Sequence, residues 1–226
     1  MLILGADTSS KAATAALLED GKIICEYTLN INNTHSEKFL PLIEQMLKDT
    51  SYSYDNIDVF ACGLGPGSFT GIRIGVATIK GLCGALGKKA VGVSSLEALA
   101  YNAVGFSGII VPTVFARADE VFCAVYEKDM KEIMSPSVMT IDELLDFCGD
   151  KEALFLGDGA EKFEPIIKQK SASFTVAEHS LNIMRGSGVC ALASKKAENN
   201  EFISYLELAP VYLRQSQAER EYNKNK

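Results

Sequence analysis

Apolar residues first recur in short runs. Residues 2–6, 12–18 and 22–29 are apolar or alternating, separated by Asp7-Thr8-Ser9-Ser10 and by Asp20-Gly21. Both separators are turn signals, and Asp-Gly suits a type I′ hairpin, in which both central residues take positive φ. Three strands joined by tight turns predict an antiparallel meander. The period then lengthens. Thr34 with Glu37 three residues on reads as a capping box, and Phe39, Leu40, Leu42, Ile43, Met46 and Leu47 give the following helix a broad apolar face. Pro41 in its second turn is expected to kink it or delay its start. Residues 57–64 read as a buried strand, Gly65-Pro66-Gly67-Ser68 as a sharp turn into a helix reaching about Leu86, and residues 90–93 as another strand. Ser94 and Glu97 form a second capping box, opening a helix to about Val104.

The second half repeats this order. Residues 109–115, 121–127 and 131–138 predict three strands, Thr140 and Glu143 cap a helix to Cys148, and residues 153–156 predict a strand ending at Gly157-Asp158-Gly159 before a helix over 161–168. A βββαβα unit therefore occurs twice, which argues for an α/β protein of sheets covered by helices. The expected division is a lobe over residues 1–104 and another over 105–226. The polar, charged tail after Arg214 is expected to fray or form a short helix.

One segment stands apart. In residues 69–86, Phe69, Ile72, Val76, Ile79 and Cys83 make one apolar stripe, while Gly71, Gly75, Thr78, Leu82 and Ala85 make a second of mostly small residues. Arg73 and Lys80 are its only charges and share a face. A surface helix shows one apolar stripe and a polar back; one apolar nearly all round is covered on both sides. Its glycines each cost about 1 kcal/mol against alanine, which close helix contact could offset. The residues leave two explanations open: a helix sandwiched in the chain's own core, or a face that another subunit covers, with the helix carrying Phe39, Leu42 and Met46 as its neighbour. On the second, Gly75→Leu is expected to block pairing and leave the protomer folded.

Candidate chemistry is sparse. Asp7, Thr8 and Ser9 place a carboxylate beside hydroxyls at a strand end, a set that can orient a metal-bound water or face a phosphate; an Asx or Ser/Thr turn is the favoured explanation, since such turns are common. The matching turn of the second half, Phe115-Ala116-Arg117-Ala118-Asp119, has no glycine to let amides close on phosphate. Ser68 can cap the helix after Gly65-Pro66-Gly67, whose free amides favour an anion, but no Lys-Ser or Lys-Thr pair makes it a Walker A loop. His35 and His179 are the only histidines, far apart, without HExxH spacing or a nearby cysteine, and there is no GxSxG elbow. Catalytic and metal-ligating residues are therefore expected to be absent, and no cofactor is expected.

Charge and cysteine usage narrow the class. The 226 residues carry a net charge of −7, whereas a free-standing nucleic-acid binder draws affinity from phosphate neutralisation; the isolated chain is expected to bind nucleic acid poorly. None of the six cysteines lies within four residues of another, so no local zinc knuckle forms. The start lacks a basic n-region, and no uninterrupted apolar stretch is long enough to span a bilayer. A cytoplasmic protein without membrane attachment is expected.

Leu4-Gly5-Ala6-Asp7-Thr8-Ser9, Thr34-His35-Ser36 with Leu40-Pro41, Gly65-Pro66-Gly67-Ser68-Phe69-Thr70-Gly71-Ile72-Arg73-Ile74-Gly75, and Gly92-Val93-Ser94-Ser95-Leu96-Glu97-Ala98-Leu99-Ala100 resemble the TsaB family, formerly YeaZ. Ala116-Arg117 with Glu120-Val121-Phe122 and Pro210-Val211-Tyr212-Leu213-Arg214 extend the likeness over nearly the whole chain. The resemblance implies a two-lobed actin-like fold (sugar kinase, Hsp70 and actin; ribonuclease H-like). It also implies a non-catalytic role beside the transferase TsaD, which puts threonylcarbamoyl on adenosine 37 of tRNA, with the ATPase TsaE as a further partner. A homodimer when alone, tRNA contact only through the complex, and pairing through the helices at 34–49 and 69–86 are implied as well. Phe115 departs from the pattern, where an aspartate is usual. The competing expectation is a stand-alone ATPase or phosphotransferase using Asp7.

Overall fold

The computed structural model describes residues 1–31 and 35–214. Strands β1 (Leu2–Asp7), β2 (Ala13–Glu19) and β3 (Lys22–Leu29) form the expected meander. Asp20 and Gly21 both take positive φ, 47° and 81°, as a primed hairpin turn requires. Helix α1 (His35–Thr50) begins without delay and runs on through Pro41; Thr34, its expected cap, lies outside the described residues. Strand β4 (Val59–Gly63) pairs parallel to β1, helix α2 (Phe69–Leu86) follows the glycine turn, and β5 (Lys89–Val93) pairs parallel to β4. Ser68 caps α2 by accepting from the Gly71 amide at 3.2 Å. Helix α3 (Ser95–Ala100) is shorter than expected, ending in a 3-10 turn over Tyr101–Ala103.

The second unit comprises β6 (Ile109–Arg117), β7 (Glu120–Tyr126), β8 (Glu132–Thr140), α4 (Ile141–Cys148), β9 (Ala153–Leu156) and α5 (Asp158–Lys170). The Thr140–Glu143 capping box forms in both directions. Two further elements escape the sequence reading: β10 (Phe174–Val176) and α6 (Gly186–Glu198). They complete the duplication. The first sheet runs β3-β2-β1-β4-β5 and the second β10-β9-β6-β7-β8, the same order in the second copy. The fold is thus a duplicated α/β fold of two mixed five-stranded sheets, as expected of the actin-like class.

Each sheet is covered twice. Helices α1 and α2 lie on the outer face of the first sheet, α4 and α5 on that of the second. Between the sheets the last helix of each unit is exchanged: α6 lies on β1 and β2, and α3 on β6 and β7. Side chains from both sheets and both helices, among them Ile3, Val91, Leu96, Leu99, Ile110, Phe122, Leu156, Val189 and Leu192, form one continuous core. Gly186 and Gly188 allow this, because a Cβ on Gly186 would sit 2.6 Å from the Ala16 amide and one on Gly188 2.5 Å from the Ala98 carbonyl. The tail after Arg214 lies outside the described residues.

Candidate functional site

Asp7 ends β1 facing inward, with no exposed surface. Its Oδ1 accepts from the Ser9 amide and the Ser9 hydroxyl, both at 2.6 Å, and its Oδ2 accepts from the Ser95 hydroxyl at 2.6 Å. Ser95 Oγ in turn accepts from the Gly65 amide at 3.0 Å. One carboxylate thus joins the β1–β2 turn, the start of α3 and the glycine turn before α2. Burial pushes the Asp7 pKa above the usual carboxylate range, against the pull of the serine donors. Gly63 on β4 makes room, since a Cβ there would fall 1.7 Å from Asp7 Oδ2. Thr8 is also spent internally, donating to the Gly71 carbonyl at 2.7 Å, and the Ser9 carbonyl accepts from the Ser68 amide at 2.7 Å. Of the three candidate phosphate-facing residues, Asp7 and Thr8 are turned away from the open space beside them and Ser9 alone borders it.

That space is a cleft of about 450 Å³ between the sheets, lined by Ser9, Ser10, Lys11, His35, Ser68, Phe69, Phe115, Phe122, Asp158 and Arg214 among others. His35 Nε2 meets the Ser10 carbonyl at 2.9 Å, fixing α1's start to the first hairpin. On the far side Phe115 takes the place of a second polar loop: its amide donates to Asp158 Oδ1 at 2.9 Å, and Lys162 Nζ sits 3.4 Å from its ring centroid. Asp158 is also pushed upward by burial. The other histidine, His179, pairs with Glu161 at 2.7 Å. Every cysteine thiol is held above its ordinary pKa by burial, five of the six in buried positions, so none is poised as a nucleophile. Among the described residues the two histidines thus meet a carbonyl and a carboxylate, not a serine hydroxyl or a thiol.

The expected interface residues divide. Phe39, Leu42 and Met46 are buried against the first sheet, and α1 does lie beside α2. Gly71 and Gly75 face inward too: a Cβ on Gly71 would lie 2.1 Å from the Thr8 carbonyl, and one on Gly75 2.4 Å from Thr8 Oγ1. The close approach those five permit is made within the chain, which corrects their assignment to an inter-subunit contact and with it the expectation that Gly75→Leu leaves the protomer folded. Thr78 and Leu82 are half-exposed. The outward face of α2 is a different stripe, Thr70, Ile74, Ala77, Gly81 and Ala85, with Thr78 and Leu82 on its flank. A Cβ on Gly81 would meet nothing within 4 Å. By length and a mean hydropathy of 1.3, α2 could cross a membrane, but six of its residues are buried against the sheet.

Sequence reasoning missed the partner of the two charges on α2. After α6 the chain runs back along α2's flank: Lys80 Nζ donates to the Leu206 carbonyl at 2.8 Å and Arg73 Nε to the Tyr212 hydroxyl at 2.7 Å. The seven-residue spacing of Arg73 and Lys80 on one face was the available signal.

Comparison with known proteins agrees with this geometry. The family model for TsaD, tRNA N6-adenosine threonylcarbamoyltransferase, matches residues 22–222. The tRNA threonylcarbamoyladenosine biosynthesis protein TsaB of Bacillus subtilis is 30% identical, with 98% of each chain covered. TsaB of Escherichia coli is 34% identical over 57% of this chain and 56% of its own. Among solved structures, YeaZ from Pseudomonas aeruginosa superposes with a TM-score of 0.79 at 25% identity, covering 94% of this chain and 99% of the other. A full-length relative, a family model spanning both units and the duplicated sheet order converge, and the chain belongs to the TsaB (YeaZ) family.

Proposed function

We propose that this chain is the partner subunit, without an active site of its own, in synthesis of threonylcarbamoyladenosine in tRNA. It supports a TsaD-type transferase and works in the cytoplasm. The observation that carries the reading is the end-to-end match to a relative named for that biosynthesis. Geometry supports the accessory role over a stand-alone ATPase or phosphotransferase. Both oxygens of Asp7 are taken by internal donors, and the continuous core between the sheets opposes the domain closure on which such enzymes rely to exclude water. The outward stripe of α2 supplies the docking face, with Gly81 at its centre, for the transferase in the complex and for a second copy when the chain is alone. A TsaE-like ATPase joins the pair, and tRNA is met only through the complex, in keeping with the net charge of −7.

The test is reconstitution. Mixed with the TsaD-type protein of the same genome, the purified chain should co-elute as a stoichiometric complex and restore modification that neither protein achieves alone. ATP turnover by the chain alone should stay at background. Turnover well above background, or modification by the transferase at full rate without this chain, would reject the proposal. The isolated chain should also show no tight, salt-sensitive binding of tRNA in filter binding at 50 and 200 mM salt.

A further inference from the structure

Residues 202–214 have almost no regular structure, yet they are tied down at every few residues. Ile203 donates to the Ala90 carbonyl at 3.0 Å beside β5, the Tyr205 ring covers Gly84, and Leu208 is buried in the core beneath α2. Val211 donates to the Leu64 carbonyl at 2.8 Å, where β4 leads into the glycine turn. At α2's first turns the Tyr212 ring stacks on Phe69 with centroids 4.8 Å apart, while Arg73 donates to its hydroxyl. Two residues on, Arg214 Nη1 reaches Glu120 Oε2 of β7 at 3.4 Å. The segment therefore starts on the first sheet, follows α2 from its C-terminal end to its N-terminal end, and finishes on the second sheet.

Its end is also a wall of the cleft, since Arg214 and Phe69 line it together with Phe115 and Phe122 of the second sheet. Phe69 thus touches the cleft while its ring stacks on Tyr212, and Arg73 carries the bond to Tyr212 from the exposed side of α2. We propose that residues 202–214 are a strap that couples the outer face of α2 to the cleft, with Phe69, Arg73 and Tyr212 as its catch and Arg214–Glu120 as its anchor on the second sheet. A body seated on α2 presses on the catch; the strap carries that change to the far side of the cleft. That second step rests on the docking reading of α2, whereas the catch and anchor stand independently of it.

The experiment uses the full chain with Cys25→Ser and a reporter thiol, either Ala116→Cys, half-buried at the cleft, or Ser107→Cys, exposed and remote from it. The readout is the rate of maleimide labelling. Tyr212→Ala should raise the rate at position 116 at least about tenfold, as expected from deleting one charge-assisted hydrogen bond and one ring stack, and leave position 107 unchanged. Tyr212→Phe, which keeps the stack, should fall between. Equal rates at 116 in all three proteins, or an equal rise at 107, would overturn the strap. Addition of the TsaD-type protein should change the rate at 116 when Tyr212 is present and not in Tyr212→Ala. No change with Tyr212 present, despite a complex seen by co-elution, breaks the coupling; absence of any complex fails the docking reading, and the first comparison still decides the catch.

Discussion

Gly75→Leu should destabilise the protomer itself, whereas Gly81→Leu should leave it folded and strip it of its partner. The two glycines lie six residues apart on α2 and face opposite environments. At Gly75 the first added carbon already falls 2.4 Å from Thr8 Oγ1 and 3.6 Å from Cys62 Sγ. Thr8 cannot move away cheaply, because its hydroxyl holds the Gly71 carbonyl one turn earlier and the chain around it is fixed by Asp7 and Ser9. Leucine adds three further carbons to a site with no room for one. Overpacking costs about 1–3 kcal/mol and the broken hydrogen bond about another 1. A chain of this size loses about 2–4 °C of Tm per kcal/mol, so thermal unfolding followed by circular dichroism should show a drop of roughly 4–16 °C. At Gly81 nothing lies within 4 Å, and the helix gains about 0.5–1 kcal/mol from losing a mid-helix glycine. The Tm of Gly81→Leu should hold or rise slightly, while co-elution with the TsaD-type protein is lost. Normal co-elution of folded Gly81→Leu would remove α2 from the interface, and an unchanged Tm for Gly75→Leu would contradict the packing.

The contrast shows where the sequence is legible. Period and capping residues located most elements, because hairpin turns and helix starts are local matters: Asp20-Gly21, Ser68 and the Thr140–Glu143 pair act within a few residues of themselves. The small-residue stripe of α2 was equally visible, but a glycine records close approach without saying to what. Gly71 and Gly75 approach Thr8, more than sixty residues away in sequence, and only the folded register distinguishes them from Gly81. β10 and α6 were missed for a different reason. Residues 186–198 begin with two glycines separated by a serine and carry Ala, Cys and Ser throughout, a weak helical signal, because the helix is wedged between two sheets and its packing, not its propensity, sustains it. The duplication itself was the stronger clue: a first unit that ends in a strand and a helix calls for the same in the second. Arg73 and Lys80 likewise could be read as a charged face, but their partners are the carbonyl of Leu206 and the hydroxyl of Tyr212, over a hundred residues on.

Asp7→Ala should cost about 3–5 kcal/mol of stability, because it leaves the Ser9 amide and the Ser9 and Ser95 hydroxyls buried without their acceptor. That corresponds to a Tm lower by roughly 6–20 °C. Asp7→Asn is milder but not neutral, since its NH2 group must face one of those donors. Gly63→Ala should reproduce the defect with residue 7 still an aspartate, its Cβ displacing Oδ2 from the Ser95 hydroxyl. The pH profile separates a buried hub from an exposed ligand. Burial raises the folded pKa of Asp7 above 3.8, so in the window just above that value the folded chain keeps a proton that the unfolded chain has released. Stability then falls as pH rises through the window and is greatest below it. Asp158 and Glu97 are raised by burial too and contribute slopes of the same sign. Asp7→Asn should therefore flatten the urea-unfolding free energy measured from pH 4 upward, by the share that Asp7 supplies. A profile in Asp7→Asn as steep as the parent's would show that the serine donors offset the burial, leaving a carboxylate that is ionised within the hub across that window.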